Sequence, residues 1–133
     1  MIFEDEFTNV QADYVSLCLE LVNNNVDKIY IFLYQDITVQ TFNAFFKKDG
    51  AIRIPTDFGS DELIDEFLEI GIEDINKLIE VCDKYKQKCP NEIKIVYNVQ
   101  TTAFEAKYGY QDYAKTGEKD PNEVFLEWVK KEK

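Results

Sequence analysis

The chain has 133 residues, of which 45% are hydrophobic and 31% charged, a balance typical of one folded domain and not of a disordered segment. Acidic residues outnumber basic ones 26 to 15, which gives a formal net charge of −11. Nucleic acids and anionic membranes are polyanions, so this charge argues against direct binding to either. It favours a basic protein partner, or it serves solubility alone.

The cysteines and the N-terminal segment predict a cytoplasmic protein. Cys18, Cys82 and Cys89 are odd in number and have no close pairing pattern, unlike a secreted disulfide framework. Placed on one helix, Cys82 and Cys89 would be two turns apart, too far for a bridge. Residues 1–7 have no basic region followed by an apolar run, so no signal peptide is expected. No apolar run approaches the roughly 18 residues that a membrane helix needs.

Hydrophobic spacing predicts eight elements in chain order. They are a helix ending near Val22, strands over 28–34, 38–47 and 51–54, a helical region over 57–88, strands over 93–99 and 104–110, and a last helix starting at Asp120. Asp49-Gly50 predicts a tight hairpin turn, because both turn positions tolerate positive φ. Ser60 is a predicted N-cap. Gly71 costs about 1 kcal/mol in a helix interior and predicts a kink or two abutting helices.

The order α-β-β-β-α-β-β-α predicts an α+β fold, with a mainly antiparallel sheet of about five strands and helices packed on one face. The first strand is apolar throughout and is predicted to be covered on both faces. Leu63, Phe67 and Ile70 are the predicted buried stripe of the second helical region, and Trp128 is the predicted core anchor of the last helix. No internal repeat or linker interrupts the chain, so residues 1–133 are predicted to form a single domain.

No motif for catalysis or metal binding is visible. Histidine is absent, the cysteines lack the CxxC spacing of a zinc site, and there is no glycine-rich phosphate loop. We therefore expect no catalytic residues, no metal and no cofactor. A hydrolase that uses only carboxylates stays open as an alternative.

A run of acidic residues is the strongest functional signal. Between Arg53 and Lys77 there is no basic residue but eight acidic ones, namely Asp57, Asp61, Glu62, Asp65, Glu66, Glu69, Glu73 and Asp74. Like charges four residues apart share a helix face and repel by a few tenths of a kcal/mol per pair. The run therefore indicates either a solvated face or a surface for a basic protein, and its first seven residues are predicted partner-binding residues.

A second candidate is a tyrosine and acid cluster near the end of the last strand. Tyr108 and Tyr110 share the strand face of Phe104 and are expected in the core. Asp112 and Tyr113 lie beyond the strand, and we expect them to be exposed and to belong to the partner-binding site, because tyrosine is favoured at interfaces.

Three segments carry a resemblance to a known family. They are residues 45–50 leading to Ile54-Pro55 and then to the acidic helix, the hairpin over 93–110, and the closing segment 125–128. In element order, and in these segments, the chain resembles the YezG/EsaG-type immunity (antitoxin) family of bacterial polymorphic toxin systems. The resemblance implies a non-enzymatic inhibitor of the toxic C-terminal domain, often a nuclease, of a contact-dependent or secreted effector. The family has no catalytic residues to carry over.

The leading hypothesis is thus an immunity protein whose partner is a cognate, basic toxin domain, with no direct binding to nucleic acid or membrane. A generic protein-interaction or adaptor module is the first alternative, and a carboxylate-dependent hydrolase is the second.

Overall fold

Helices and five strands account for most of residues 2–117 and 119–133, the part of the chain that the computed structural model describes. The helices are α1 (Phe3–Val22), α2 (Asp61–Lys84), the short α3 (Tyr113–Thr116) and α4 (Pro121–Glu132). The strands are β1 (Lys28–Gln35), β2 (Gln40–Lys48), β3 (Ala51–Arg53), β4 (Glu92–Asn98) and β5 (Phe104–Gly109). The predicted element order is confirmed, with α3 as an additional short helix before α4.

The five strands form one sheet in the order β3-β2-β1-β4-β5, and every neighbouring pair is antiparallel. The predicted α+β fold is therefore confirmed. Asp49 and Gly50 join β2 to β3 with φ angles of 52° and 79°, as a tight turn requires. Ser60 and Asp120 cap α2 and α4, each accepting a hydrogen bond from the backbone N–H three residues further on.

Both faces of the sheet are covered by helices. β1 is central and apolar on both faces, as predicted. Ile29, Ile31 and Leu33 pack with α1 and α2, whereas the alternate residues from Tyr30 to Tyr34 pack with α4. The prediction that helices cover one face is right for α1 and α2 and wrong for α4. A strand that is apolar on both sides leaves hydrophobic surface in water unless both sides are covered.

Gly71 marks the closest approach of α2 to the sheet. One helix runs through it, so the predicted division into two helices is wrong. A Cβ built on Gly71 would lie 2.0 Å from Cδ2 of Phe42 in β2. The Gly71 carbonyl oxygen accepts a hydrogen bond of 2.5 Å from the Tyr14 hydroxyl. The residue therefore serves close packing between helix and sheet.

The buried stripe of α2 begins one residue later than predicted. Ile64 faces the core, while Leu63 is 44% exposed and Ile70 is half-buried. Phe67 is buried, as predicted. Leu63 and Ile70 instead line a groove between α1 and α2.

Cys82 and Cys89 lie next to each other. α2 ends at Lys84 and the chain then reverses through Lys86, whose φ is 55°. Cys89 therefore lies outside the helix, and the two thiols are close enough to affect each other's pKa, so the prediction that two helical turns separate them is wrong. Burial raises the pKa of both thiols and that of Cys18, and all three are free.

Candidate functional site

Most of the predicted acidic run lies on the outer side of α2 and on the turn before it. Seven carboxylates of the run are exposed and together form what we term the acid face. They belong to Asp57, Asp61, Glu62, Asp65, Glu66, Glu69 and Glu73. The first of them lies in a 3₁₀ turn (Pro55–Asp57), where its carboxylate accepts the Ile54 N–H at 3.0 Å. The part of the face on α2 is about 18 Å long, because each helical residue rises 1.5 Å.

Asp74, the eighth acidic residue of the run, faces inwards and is not part of the acid face. It is only 5% exposed, and its carboxylate lies 3.2 Å from the Lys77 ammonium. Burial raises the pKa of the nearby Tyr14 hydroxyl, and the charge of Asp74 raises it further. Asp74 therefore belongs to the packing between α1 and α2.

The acid face is not neutralised within the described residues. The ion pairs formed there use Asp74, Glu6 and Glu127 as their acidic partners, and none of these belongs to the face. The two possibilities left by the sequence, a solvated face and a partner surface, both require this exposure. The charge is thus available to a partner.

A shallow patch with an apolar centre lies within the acid face. The half-buried Leu68 and Ile72 line it together with Asp65, Glu69 and Glu73. Protein interfaces commonly have an apolar centre that excludes water and a polar rim. This part of α2 therefore combines apolar contact area with charge.

Asp112 is separated from the acid face and has a structural role. It is half-buried and N-caps α3, its carboxylate accepting the N–H groups of Ala114 at 3.0 Å and Lys115 at 3.3 Å. The expectation that Asp112 is exposed is therefore wrong. The first N–H groups of a helix have no partner within the helix, and the Asp112 carboxylate supplies their acceptor.

Tyr113 is also used within the fold, and its predicted exposure is wrong as well. Its ring stacks on Tyr34 with centroids 5.0 Å apart, in the core on the α4 side of the sheet. Its N–H donates to the Tyr34 hydroxyl at 2.9 Å, and its own hydroxyl donates to Glu92 at 3.0 Å. Burial raises its pKa to about 12, with Glu92 contributing. The structure does not bring Asp112 and Tyr113 together with the acid face, because α2 packs on the other side of the sheet.

Tyr108 and Tyr110 are exposed, contrary to the expectation that they are core residues. They and Phe104 are between 42% and 51% exposed. β5 is an edge strand, and α1 covers it only in part. Tyr108 contacts Phe7, with ring centroids 5.7 Å apart, and hydrogen-bonds Gln11 at 3.0 Å.

A lysine-lined cavity on the α4 side of the sheet was missed by the sequence analysis. Its volume is about 540 Å³, and we term it the Lys cleft. The lysines that line it are Lys28, Lys47, Lys94, Lys107 and Lys131. They are far apart in the sequence, and only the pairing of the strands makes them neighbours. Their alternation with apolar residues along the strands was the one signal that could have indicated a shared face.

Comparison with known proteins leaves the function open. The chain matches no protein-family model and no curated protein. In residues 2–117 and 119–133, no cluster of cysteine or carboxylate side chains has the arrangement of a metal site. None of the helices there is both long and apolar enough to cross a membrane. The resemblance to the YezG/EsaG-type family stays a prediction.

Proposed function

We propose that this protein is an immunity protein, a non-enzymatic inhibitor that binds and neutralises the C-terminal domain of a cognate toxin in the cytoplasm. The observation that carries the proposal is the acid face, whose seven carboxylates are exposed and form no ion pair with the described residues. The resemblance stated above supports the same function.

The cost of the acid face favours a functional origin. Four pairs of its residues have the four-residue helical spacing, for example Asp61 with Asp65 and Asp65 with Glu69. Each such pair is destabilising by a few tenths of a kcal/mol, so together they cost on the order of 1 kcal/mol. A face that served only solubility would avoid this cost by alternating acidic and basic residues.

A basic nuclease domain is the partner whose chemistry fits best. Nucleases that grip a phosphate backbone present lysine and arginine to it. An acidic surface is steered to the same residues and blocks the access of nucleic acid. Leu68 and Ile72 would then provide the desolvated centre of the interface, with the carboxylates around them.

An adaptor that binds a basic protein would use the same surface, so binding alone does not separate the two functions. Co-expression does. We expect the domain encoded by the neighbouring reading frame to arrest growth when it is expressed alone, and we expect co-expression of this chain to restore growth. Binding without restored growth favours the adaptor.

The acid face itself is tested by reversing three charges. The variant D61K/D65K/E69K should associate with the toxin domain at least about tenfold more slowly at low salt, because electrostatic steering changes on-rates by factors of 10 to 10³. The difference should shrink at high salt. Surface plasmon resonance at two salt concentrations measures both effects, and circular dichroism checks the fold.

The matched control is E4K/D5K/D13K, which makes the same change in net charge at three exposed residues of α1. We expect it to slow association much less. Equal rates for the wild type and D61K/D65K/E69K would show that the acid face is not the interface. Equal slowing by both variants would show that only net charge matters.

A further inference from the structure

We infer that the Lys cleft is a binding site for a small phosphate-bearing molecule, on the opposite side of the sheet from the acid face. This inference is independent of the proposed immunity function. It rests on the shape of the uncovered sheet face, on two pairs of lysines placed directly opposite each other, and on an apolar floor beneath them.

The cleft exists because α4 is too narrow for its side of the sheet. Five strands spaced about 4.8 Å apart are roughly 19 Å across, whereas one helix is about 10 Å wide. On the other face α1 and α2 lie side by side, and together they are wide enough to cover the sheet. α4 packs over the middle of β1 and β2. The part of this sheet face that α4 leaves open extends from Lys28 and Lys47, at the ends of those strands, across β4 to β5.

Two like-charged pairs face each other across neighbouring strands of the cleft. Lys28 lies directly opposite Lys47 in the β1–β2 register, and Lys94 lies directly opposite Lys107 in the β4–β5 register. Like charges in such positions destabilise a sheet. Lys131 of α4 adds a fifth ammonium group. Within the described residues, none of these lysines has a carboxylate oxygen within 4.0 Å.

The carboxylates that face the cleft do not balance it. They belong to Glu105, Glu127 and Glu132, against five lysines. Glu127 is also engaged by Lys119 at 2.9 Å. In a chain with a net charge of −11, a local excess of positive charge is the reverse of what composition alone would give. The cleft is therefore electrostatically suited to an anion.

The cleft has an apolar floor on the sheet and apolar side chains on α4, and lysine side chains lie over both. Lys47 lies 5.8 Å from the Tyr30 ring centroid and Lys94 lies 5.5 Å from that of Trp128. Val96 and Val124 complete the apolar surface. A cavity of about 540 Å³ is in the size range of small-molecule sites. Most of the residues that line it are charged, which suits a charged ligand.

Phosphate is the anion that best fits paired lysines. A phosphate monoester carries close to two negative charges near neutral pH, and lysine binds phosphate as a point charge. A single phosphate group can therefore satisfy one opposed lysine pair, and the apolar floor can contact the organic part of the ligand. The ligand class is thus a phosphorylated small molecule.

Isothermal titration calorimetry of the full chain at low salt tests the inference, with inorganic pyrophosphate, adenosine diphosphate and uncharged adenosine as probes. We expect the wild type to bind at least one of the two phosphate probes and not to bind adenosine. The variant K94Q/K107Q should weaken this binding at least tenfold. The variant K28Q/K47Q, which removes the other pair, tests the cleft a second time if the first variant does not fold.

The control K86Q/K115Q makes the same charge change at two exposed lysines outside the cleft, and we expect binding within twofold of the wild type. The inference is overturned if neither pyrophosphate nor adenosine diphosphate binds at concentrations up to about 1 mM. It is also overturned if the control variant weakens probe binding as much as the cleft variants do. Phosphate-independent self-association that the cleft variants abolish would also overturn it, because the cleft would then bind a second copy of this chain.

Discussion

The substitution Gly71→Ala tests the account of how α2 packs on the sheet. The added methyl group would lie 2.0, 2.4 and 2.5 Å from three carbons of the Phe42 ring, far inside van der Waals contact. The ring has little room to move, because Tyr14 and Phe67 pack against it with centroid distances of 5.3 and 5.1 Å. The helix, the ring or both must therefore shift.

Two opposing terms set the size of the effect. Replacing glycine by alanine in a helix interior is favourable by about 1 kcal/mol. Overpacking a well-packed core costs about 1–3 kcal/mol, and the direct overlap with Phe42 places this site at the upper end. A shift of the helix in the variant would also distort the hydrogen bond from the Tyr14 hydroxyl to the Gly71 carbonyl oxygen. We expect a net loss of about 1–2 kcal/mol in the free energy of unfolding, or roughly 3–10 °C in Tm for a domain of this size.

Urea denaturation followed by circular dichroism measures the loss. Gly109→Ala is the matched control, since its Cβ would make an ordinary contact of 3.5 Å with Cβ of Glu92. In a double-mutant cycle with Phe42→Ala, removal of the ring should abolish most of the penalty of Gly71→Ala, which gives a coupling of about 1–3 kcal/mol. A Gly71→Ala protein as stable as the wild type, or more stable, would refute the close-packing role.

Two further predictions concern contacts on the other side of the sheet and between the helices. Tyr34→Phe should lower the free energy of unfolding by about 1–3 kcal/mol, because it removes a 2.6 Å hydrogen bond to Asp36 and leaves the Tyr113 N–H without its acceptor. Tyr97→Phe is the control, and a loss equal to that of Tyr34→Phe would contradict this reading. The pKa of Glu6 lies below its ordinary value of 4.5, because Tyr85 and then Lys84 donate hydrogen bonds to its carboxylate. A depressed carboxyl pKa stabilises the fold above the unfolded-state value and loses this effect as pH falls through the folded-state value. Glu6→Gln should therefore be less stable than the wild type at pH 7, and the difference should shrink as the pH falls below 4.5. Unfolding in urea over a series of pH values checks this against Glu4→Gln, and a difference that does not shrink with falling pH would contradict it.

Local sequence patterns were enough to predict the elements and most of their ends. The period of the hydrophobic residues distinguishes helices from strands, and Ser60, Asp120 and Asp49-Gly50 act through short-range backbone geometry. The predictions that were wrong concern contacts between residues that are far apart in the sequence. The uniformly apolar β1 already required cover on both faces, which is incompatible with helices on one face. The local sequence predicts only that Gly71 destabilises the helix. Glycine is needed there because the Phe42 ring, 29 positions earlier in the chain, leaves no room for a Cβ.

The candidate functional residues also divide into those that local sequence predicts and those that only the fold brings together. The acid face is contiguous in the sequence and lies on one helix, so spacing alone predicts it. The Lys cleft draws its lysines from four strands and α4, and strand register decides which of them are neighbours. Asp112 and Tyr113 were placed outside the core because they follow the last strand. The hydrogen bond from the Tyr113 N–H to the Tyr34 hydroxyl, which ties this segment to β1, has no signature in the local sequence.

The placement of the two charged surfaces keeps them from cancelling each other. The acid face is on the outer side of α2, so a helix about 10 Å thick and then the sheet separate it from the Lys cleft. That distance exceeds the Debye length of about 8 Å at physiological ionic strength, so the fields of the two surfaces are then largely independent of each other. Near 0.01 M salt the Debye length is about 30 Å, and the lysines then offset part of the field of the acid face. Under the proposed function, a basic partner that approaches at low salt would be attracted to α2 and repelled by the α4 side. Segregating the charges across the sheet gives the molecule a preferred orientation for docking, which an even distribution of the same residues would not provide.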